Sequence, residues 1–280
     1  MDNNERILKN IYTCFPGWKH KCLTMSYDDG RIFDKRLVEI FNKNGIKGTF
    51  HLNSGLFNRR DGRVQFDEIK EVYKGHEVSC HTYTHPTTAR CPISEVIKQI
   101  TEDRKILEEA AGYPVRGMSY PNGSYSREII DILPALGIEY SRVVETTGHF
   151  GLPEDLYRWK ATCHHAKRTD NGKNLKELGE EFIGLHKTQY LYLMYVWGHS
   201  YEFDTADNWD IMEDFCAMIG NRDDIWYTTN IGYVDYMNAA KNLRYTMKGD
   251  MVYNPSAMSV FIRVDEKPFE IKGGETVVLC

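Results

Sequence analysis

KCLTMSYDDGRIFDKRLVEIFNKNGIKGTFHL, residues 21–52, is the stretch whose reading decides the fold. Residues 21–27 (KCLTMSY) read as a strand. Residues 33–43 place Phe33, Leu37, Ile40 and Phe41 at helical spacing, one apolar stripe on a helix. Gly45 breaks the chain, and 46–52 (IKGTFHL) reads as a second strand. Strand, helix and strand in close succession form the unit from which parallel sheets are built.

The alternation continues outward from this unit. A short helix over 67–74 precedes a strand at 76–80. A regular helix over 93–111 carries Ile93, Val96, Ile97, Ile100 and Leu107 on one stripe and stops at Gly112. A strand at 115–120 runs into the turn Pro121-Asn122-Gly123. A helix at 126–136, Gly137 and a strand at 138–144 follow. Beyond a long polar stretch come a helix at 174–187 and the most apolar strand, 189–197 (QYLYLMYVW). A helix at 208–220, a strand at 224–229 and a helix at 231–242 complete about seven βα units. Polar residues follow several strands directly: Asp28-Asp29, His81, Pro121 and His199. Four strand ends feeding one site fit a barrel better than an open sheet with a single crevice.

From residue 243 the texture changes to short alternating runs between Gly, Pro and charges. The expected division is a barrel over 1–242 and a small β-rich extension over 243–280. The extension would cover the barrel bottom or pair with another subunit, so a homo-oligomer is one arrangement open to the chain.

Composition narrows the class. The 280 residues are 41% hydrophobic, 27% charged and 12% aromatic, ordinary for a folded domain. A net charge of -5 gives no basic footprint for nucleic acid and none for anionic lipid. No apolar run approaches the roughly 20 residues that span a bilayer. The polar start MDNNERILKN lacks a secretory pattern, so a cytoplasmic protein is expected, or a secreted one if the sequence is trimmed. The seven cysteines form no CxxC pair and read as free thiols. Cys80, beside a proposed ligand, reads first as a small buried hydrophobe.

Two motifs carry chemistry. In Ser26-Tyr27-Asp28-Asp29-Gly30 a strand ends in adjacent carboxylates, whose repulsion a cation or a proton relieves. A solvated Asp-Gly turn is the plainer explanation of that motif alone. In His81-Thr82-Tyr83-Thr84-His85-Pro86 the threonines and Pro86 favour a loop over a helix. Together the motifs offer two imidazoles and a carboxylate, the donor set of a catalytic zinc site with an open position. Non-haem iron oxygenases use the same set, but they place His and acid as HxD, and this chain has no HxD. Ser119-Tyr120-Pro121-Asn122-Gly123 and Trp197-Gly198-His199-Ser200-Tyr201-Glu202 are looser candidates, in which Gly198 allows close approach beside His199.

MSYDDG, HTYTH, YPNG and a late strand ending in GH, in this order over roughly residues 20–230, resemble the polysaccharide deacetylases of carbohydrate esterase family 4, which share the NodB homology domain. The resemblance implies a distorted (β/α)7 barrel and metal-dependent removal of N- or O-acetyl groups from a carbohydrate. It makes Asp28 the general base, Asp29, His81 and His85 the ligands of one divalent ion, and His199 the general acid. Zn2+ is expected first, with Co2+, Ni2+ or Mn2+ as alternatives. An oxyanion donor is expected around Tyr120, Pro121 and Asn122. The arginine that normally precedes the third motif and pairs with the base is missing, since Met118 and Ser119 stand there. Arg116 and Arg158 are the expected replacements. Asp155 and Trp159, spaced like the fourth motif, are candidates for tuning His199. Tyr201, Phe203 and Trp209 offer stacking faces for a sugar or are core, and His164-His165 is either a polar loop or a second ion site. The competing readings are a hydrolase of a non-sugar amide such as a cyclic imide on the same barrel, and a sugar-binding module that has lost its catalytic parts.

Overall fold

The computed structural model describes residues 8–57 and 62–279. Its main sheet holds β2 (Lys21–Asp28), β3 (Gly48–Leu52), β4 (Glu77–Cys80), β5 (Gly117–Ser119), β6 (Tyr140–Thr146), β7 (Trp159–Ala161), β8 (Cys163–His164), β9 (Tyr192–Gly198) and β10 (Ile225–Tyr227). β1 (Ile11–Cys14) lies outside it. The order is β7-β6-β5-β4-β3-β2-β9-β8, with β10 also on β2, and every pairing is parallel. The two ends of this path, β7 and β8, are separated in sequence by Thr162 alone. The sheet therefore returns to itself through one residue. Thr162 N–H donates to Tyr195 O at 2.7 Å, and its hydroxyl accepts from Tyr195 N–H at 3.0 Å. This is the expected α/β architecture, a distorted barrel whose strand-to-strand hydrogen bonding is interrupted between β7 and β8.

Every residue of β2, β3 and β4 is buried, the pattern of parallel strands covered on both faces. Alternation along β2 sorts its side chains. Leu23, Met25 and Tyr27 join the core formed with the helices, which includes Leu37 and Phe41 of α1 (Asp34–Lys43). Thr24, Ser26 and Asp28 take the other face, which is polar. There Thr24 Oγ1 donates to Asn230 Oδ1 at 2.8 Å, and Ser26 Oγ lies 2.9 Å from His51 Nε2. Asp28 is the last residue on this inner row. The remaining helices are α2 (Ile69–Val72), α3 (Ile93–Ala111), α4 (Arg127–Ile132), α5 (Leu175–Gly184), α6 (Tyr201–Thr205), α7 (Trp209–Ile219) and α8 (Asn230–Lys241).

The C-terminal segment forms two small antiparallel sheets. One is β11 (Arg244–Tyr245), β12 (Met251–Tyr253) and β15 (Thr276–Val278). The other is β13 (Val260–Val264) and β14 (Lys267–Ile271) with β1 added to its edge. Residues 11–14 thus fold with the C-terminal strands, and the shared core includes Ala239 of α8. Several elements differ from the sequence reading. The helix expected over 126–136 ends at Ile132, because Pro134 cannot continue it, and a 3-10 turn follows. The strand expected from 189 starts at Tyr192. β7, β8 and α6, of two to five residues, are too short to show a period. Six cysteines are free thiols; Cys280 lies outside the described residues. Among the described residues no helix is long and apolar enough to cross a membrane.

Candidate active site

The candidate site is built at the carboxyl ends of β2, β4, β5, β6 and β9. Asp29 leaves β2 with φ of 80° and Gly30 with φ of 61°. The left-handed turn breaks strand alternation, so the neighbouring carboxylates Asp28 and Asp29 reach one point. Asp28 Oδ2 lies 3.8 Å and Asp29 Oδ1 3.9 Å from His81 Nε2. His85 Nε2 lies 3.7 Å from the same Asp29 oxygen. The His81-to-His85 run is a loop, with Thr82 at φ of 65° and His85 at 61°. Positive φ at three non-glycine residues costs conformational energy that the surroundings must offset, a common signature of functional sites. Asp103 of α3 supplies part of that support. Its carboxylate accepts from Ser54 N–H and Oγ–H, each at 2.7 Å, and from His81 N–H at 3.0 Å. Asn53 Nδ2 donates to the carbonyls of His81 and Thr82.

The donor atoms of Asp29, His81 and His85 lie within 4.8 Å of one another, so these residues are able to hold an ion. The tautomer of His81 fits that use. Its Nδ1 lies 2.9 Å from Ser119 O, which only accepts, so Nδ1 carries the proton and Nε2 presents a lone pair. Burial pushes His81 down to about 4, against the pull of Asp28 and Asp29, and keeps it neutral.

Asp28 is held differently. Arg142 Nη2 donates to its Oδ2, and Ser119 Oγ donates to its Oδ1 at 3.0 Å. Burial alone would raise the Asp28 carboxyl. Arg142, aided by His81, reverses this and holds it well below the usual carboxylate range. Arg142 is wholly buried on β6, and its guanidinium also lies over the Trp197 ring at 4.2 Å. It stands opposite Ser119 in the β5–β6 register. The guanidinium expected just before Pro121 therefore comes from the paired position one strand over. Sequence reasoning missed it, although an arginine inside the apolar strand Tyr140-Ser141-Arg142-Val143 signals a buried charge in need of a partner.

His199 ends β9, with its side chain 21% exposed, and its Nδ1 faces Glu202 Oε1 at 3.5 Å. Burial works against its charge. Glu202, with Asp28 and Asp29, more than offsets that and leaves its pKa above the ordinary imidazole value.

Other expected residues lie elsewhere. Arg116 pairs with Glu139 and, through both terminal nitrogens, with Asp235. Arg158 pairs with Asp155 at 2.8 Å, and Asp155 also accepts from Tyr157 N–H. Neither arginine is the partner of Asp28, and Asp155 is not the carboxylate facing His199, because these charges are satisfied locally or by α8. Trp159 is core, packed on Tyr140, Tyr195 and Tyr233. Trp209 packs on Phe203 and under Arg36. Of the three aromatic candidates, Tyr201 is the one beside His199, with ring centres 5.2 Å apart. Tyr120 is turned inward, its hydroxyl donating to Tyr157 O and its N–H to Arg142 O at 3.1 Å, so that N–H is engaged and not offered to an oxyanion. Pro121 is buried in a 3-10 turn, in which Asn122 has φ of 57°. Asn122, His164, Lys167 and Trp197 line a cavity of about 430 Å³. Cys80 is buried in the core, and burial pushes its thiol up.

Parallel strands thus deliver two carboxylates and three histidines to one end of an α/β fold, and three of these groups form a candidate ion site. Residues 17–141, a little under half of the chain, match the family model described as Polysaccharide deacetylase. That stretch contains Asp28, Asp29, His81 and His85 and stops just before Arg142. The peptidoglycan-N-acetylglucosamine deacetylase PgdA of Listeria monocytogenes is 23% identical over 124 residues, 44% of this chain and 26% of that protein. The uncharacterized protein YlxY of Bacillus subtilis is 27% identical over 104 residues, 37% of this chain and 31% of its own length. The chain thus spans about a third or less of these two relatives. Among solved structures, a Mycobacterium smegmatis protein described provisionally as a polysaccharide deacetylase superposes with a TM-score of 0.59 at 16% identity, covering 84% of this chain and 96% of that one. A family 4 acetyl xylan esterase from Clostridium thermocellum, in complex with a cobalt ion, gives 0.50 at 14% identity, covering 77% and 92%. At these identities the likeness is one of fold.

Proposed function

We propose that this chain is a metal-dependent hydrolase that removes acetyl groups from a carbohydrate, with Asp29, His81 and His85 holding one divalent ion, Zn2+ first among the candidates. One observation carries this reading. Two adjacent carboxylates meet the same imidazole, yet only Asp28 is gripped by Arg142 and Ser119. That difference divides them into a proton acceptor and a ligand. An ion at the ligand triad supplies Lewis acidity toward a carbonyl oxygen and acidity to water.

The protein's own groups supply the rest. Asp28 stays ionised beside Arg142 and takes the proton of the water that adds to the acetyl carbon. Ser119 Oγ bridges Asp28 and His81 Nδ1, at 3.0 and 2.7 Å, and keeps base and ligand in register. His199, whose pKa lies above the ordinary value, carries a proton and gives it to the nitrogen or oxygen that leaves as the C–N or C–O bond breaks. Acetate and a free amine or alcohol are the products. Base and acid have environments that push their pKa values apart, as paired proton transfer requires.

The test is acetate release from a panel of N- and O-acetylated sugars, with cyclic imides beside them, with and without chelator. Chelator-sensitive acetate release is expected, lost in Asp28→Asn with the bound ion retained. Turnover of imides alone, or full activity of Asp28→Asn, would overturn the reading.

A further inference from the structure

Glu202, in the first turn of α6 and three residues after His199, gathers three imidazoles. His164 Nε2 lies 3.3 Å and His165 Nε2 3.1 Å from its Oε2, and His199 Nδ1 lies 3.5 Å from its Oε1. The same Oε2 accepts the backbone N–H of His199 at 3.2 Å. We infer that Glu202 is the positioning residue of the proposed general acid: clamped by His164 and His165, its carboxylate fixes the His199 ring with Nδ1–H toward Glu202 and leaves Nε2 to pass the proton. The inference rests on the deacetylase reading above for what the proton is used for.

Two imidazoles and a carboxylate are also the donor set of an ion site, and their donor atoms lie within 4.8 Å of one another. The tautomer decides between the two uses. His164 Nδ1 accepts the N–H of Ala166 at 3.1 Å. A neutral ring that accepts at Nδ1 carries its proton on Nε2, so His164 meets Glu202 with a hydrogen rather than a lone pair. That is the opposite of His81, whose Nε2 lone pair faces the first site. His164 therefore acts as a donor to an anion.

The placement of His165 shows how tightly the clamp is built. Its ring stacks on Phe203 at 4.1 Å and on Tyr27 at 5.7 Å. It also lies against β9 where Gly198 has no side chain. A Cβ on Gly198 would meet His165 Nδ1 at 1.9 Å. His165 Nε2 and His199 Nδ1 have no hydrogen bond of good geometry among the described residues, and the polar group each faces is the Glu202 carboxylate, at 3.1 and 3.5 Å. Burial pushes His165 down to about 4 against the pull of Glu202, which keeps it neutral. The carboxyl of Glu202, which burial alone would raise, is driven far below its ordinary range by the three imidazoles. One fixed negative charge therefore stands beside His199.

The groups facing His199 are few. α6 contributes Glu202 and the Tyr201 ring, the end of β2 contributes Asp28 and Asp29, and the end of β8 contributes His164, whose ring centre is 6.4 Å away. The Trp197 ring is 6.0 Å distant. Arg142, which lies over Trp197, is engaged by Asp28.

The test combines Glu202→Gln and Glu202→Asp with two readouts, checked for folding by circular dichroism. In the zinc-loaded protein, NMR titration of His199, assigned by its loss in His199→Ala, should move down by about one unit or more in Glu202→Gln and by less in Glu202→Asp. Turnover of an N-acetyl sugar should fall about 100-fold in Glu202→Gln with its pH profile displaced, while an activated aryl acetate, whose leaving group needs no proton, should lose less than about threefold. An unmoved His199 titration overturns the proposal, as does an equal loss on both substrates. If Glu202→Gln does not fold, the smaller displacement in Glu202→Asp still decides it. A second equivalent of zinc, bound by the native protein and lost in His165→Ala, also overturns it, because the cluster would then be an ion site. If no protein in the series releases acetate, the deacetylase reading fails, and the titration still tests Glu202.

Discussion

Replacing Arg142 by methionine is the perturbation that most directly probes how the proposed base is held. Methionine has comparable length and fits an apolar surrounding, so the packing on Trp197 is largely kept while the charge is removed. The cost is that of leaving Asp28 ionised, buried and without its guanidinium, about 3–5 kcal/mol for a broken buried pair. Loss of the guanidinium over Trp197 adds about 0.5–2 kcal/mol. At roughly 2 °C per kcal/mol for a chain of this size, the melting temperature should fall by about 7–14 °C. The measurement is urea denaturation with chelator present, so that ion binding does not compensate.

A double-mutant cycle isolates the pair. Asp28→Asn alone leaves Arg142 unpaired and also destabilises, but R142M/D28N should cost about 2–3 kcal/mol less than the sum of the single changes. The pH dependence supplies a sign. In the wild type the depressed pKa of Asp28 contributes stability that is lost as pH falls through its folded value, below the usual carboxylate range. In Arg142→Met the lowering influence is gone and burial dominates. The variant's deficit should therefore shrink as the pH approaches about 4, where Asp28 takes up a proton. A single-variant cost under about 1 kcal/mol, or a cycle additive to within about 0.5 kcal/mol, would refute the reasoning.

Three further outcomes are expected. Asp103→Ala leaves the N–H of Ser54 without its acceptor and the N–H of His81 with Leu52 O alone, so it should weaken zinc binding about 10–100-fold by calorimetry; unchanged affinity would remove Asp103 as support of the His81 loop. Gly198→Ala drives a methyl against His165 and should cost about 1–3 kcal/mol, with the His199 titration displaced; a stable variant with normal titration would show that the clamp has slack. Glu77, buried and accepting from Thr49, Tyr140 and Ile231 N–H, is pushed up to about 7, so between its ordinary 4.5 and that value the folded protein holds a proton the unfolded chain has released. Stability should fall as pH rises through this window, and Glu77→Gln should flatten the slope by at most about 3 kcal/mol; an unaltered slope in denaturation from pH 4.5 to 7.5 would show that Glu77 is not the group responsible.

The difference between what was legible and what was hidden follows from where charges find their partners. Asp28, Asp29, His81 and His85 could be read because each follows its strand within a few residues, and a parallel α/β sheet gathers such positions at one end. Arg158 and Arg116 looked equally eligible as linear text, but Arg158 satisfies Asp155 three residues away and Arg116 reaches Glu139 and Asp235. A charge with a local partner has no need of a distant one, so an acid and a base spaced three apart on a loop are poor site candidates. Arg142 shows the converse. Its neighbours Ser141 and Val143 are buried and uncharged, and its partner is 114 residues away, supplied by the register that sets Ser119 beside it.

Glu202 was in plain view three residues after His199, yet its meaning depends on His164 and His165. Those arrive on β8, a strand of two residues that no periodicity reveals. The proposed ligands are thus encoded in motifs, whereas the groups that set their protonation are encoded in pairings between strands. The same reasoning gives the two buried clusters opposite roles. His81 donates at Nδ1 and offers a lone pair at Nε2, while His164 accepts at Nδ1 and offers a proton, so one imidazole is built to meet a cation and the other an anion.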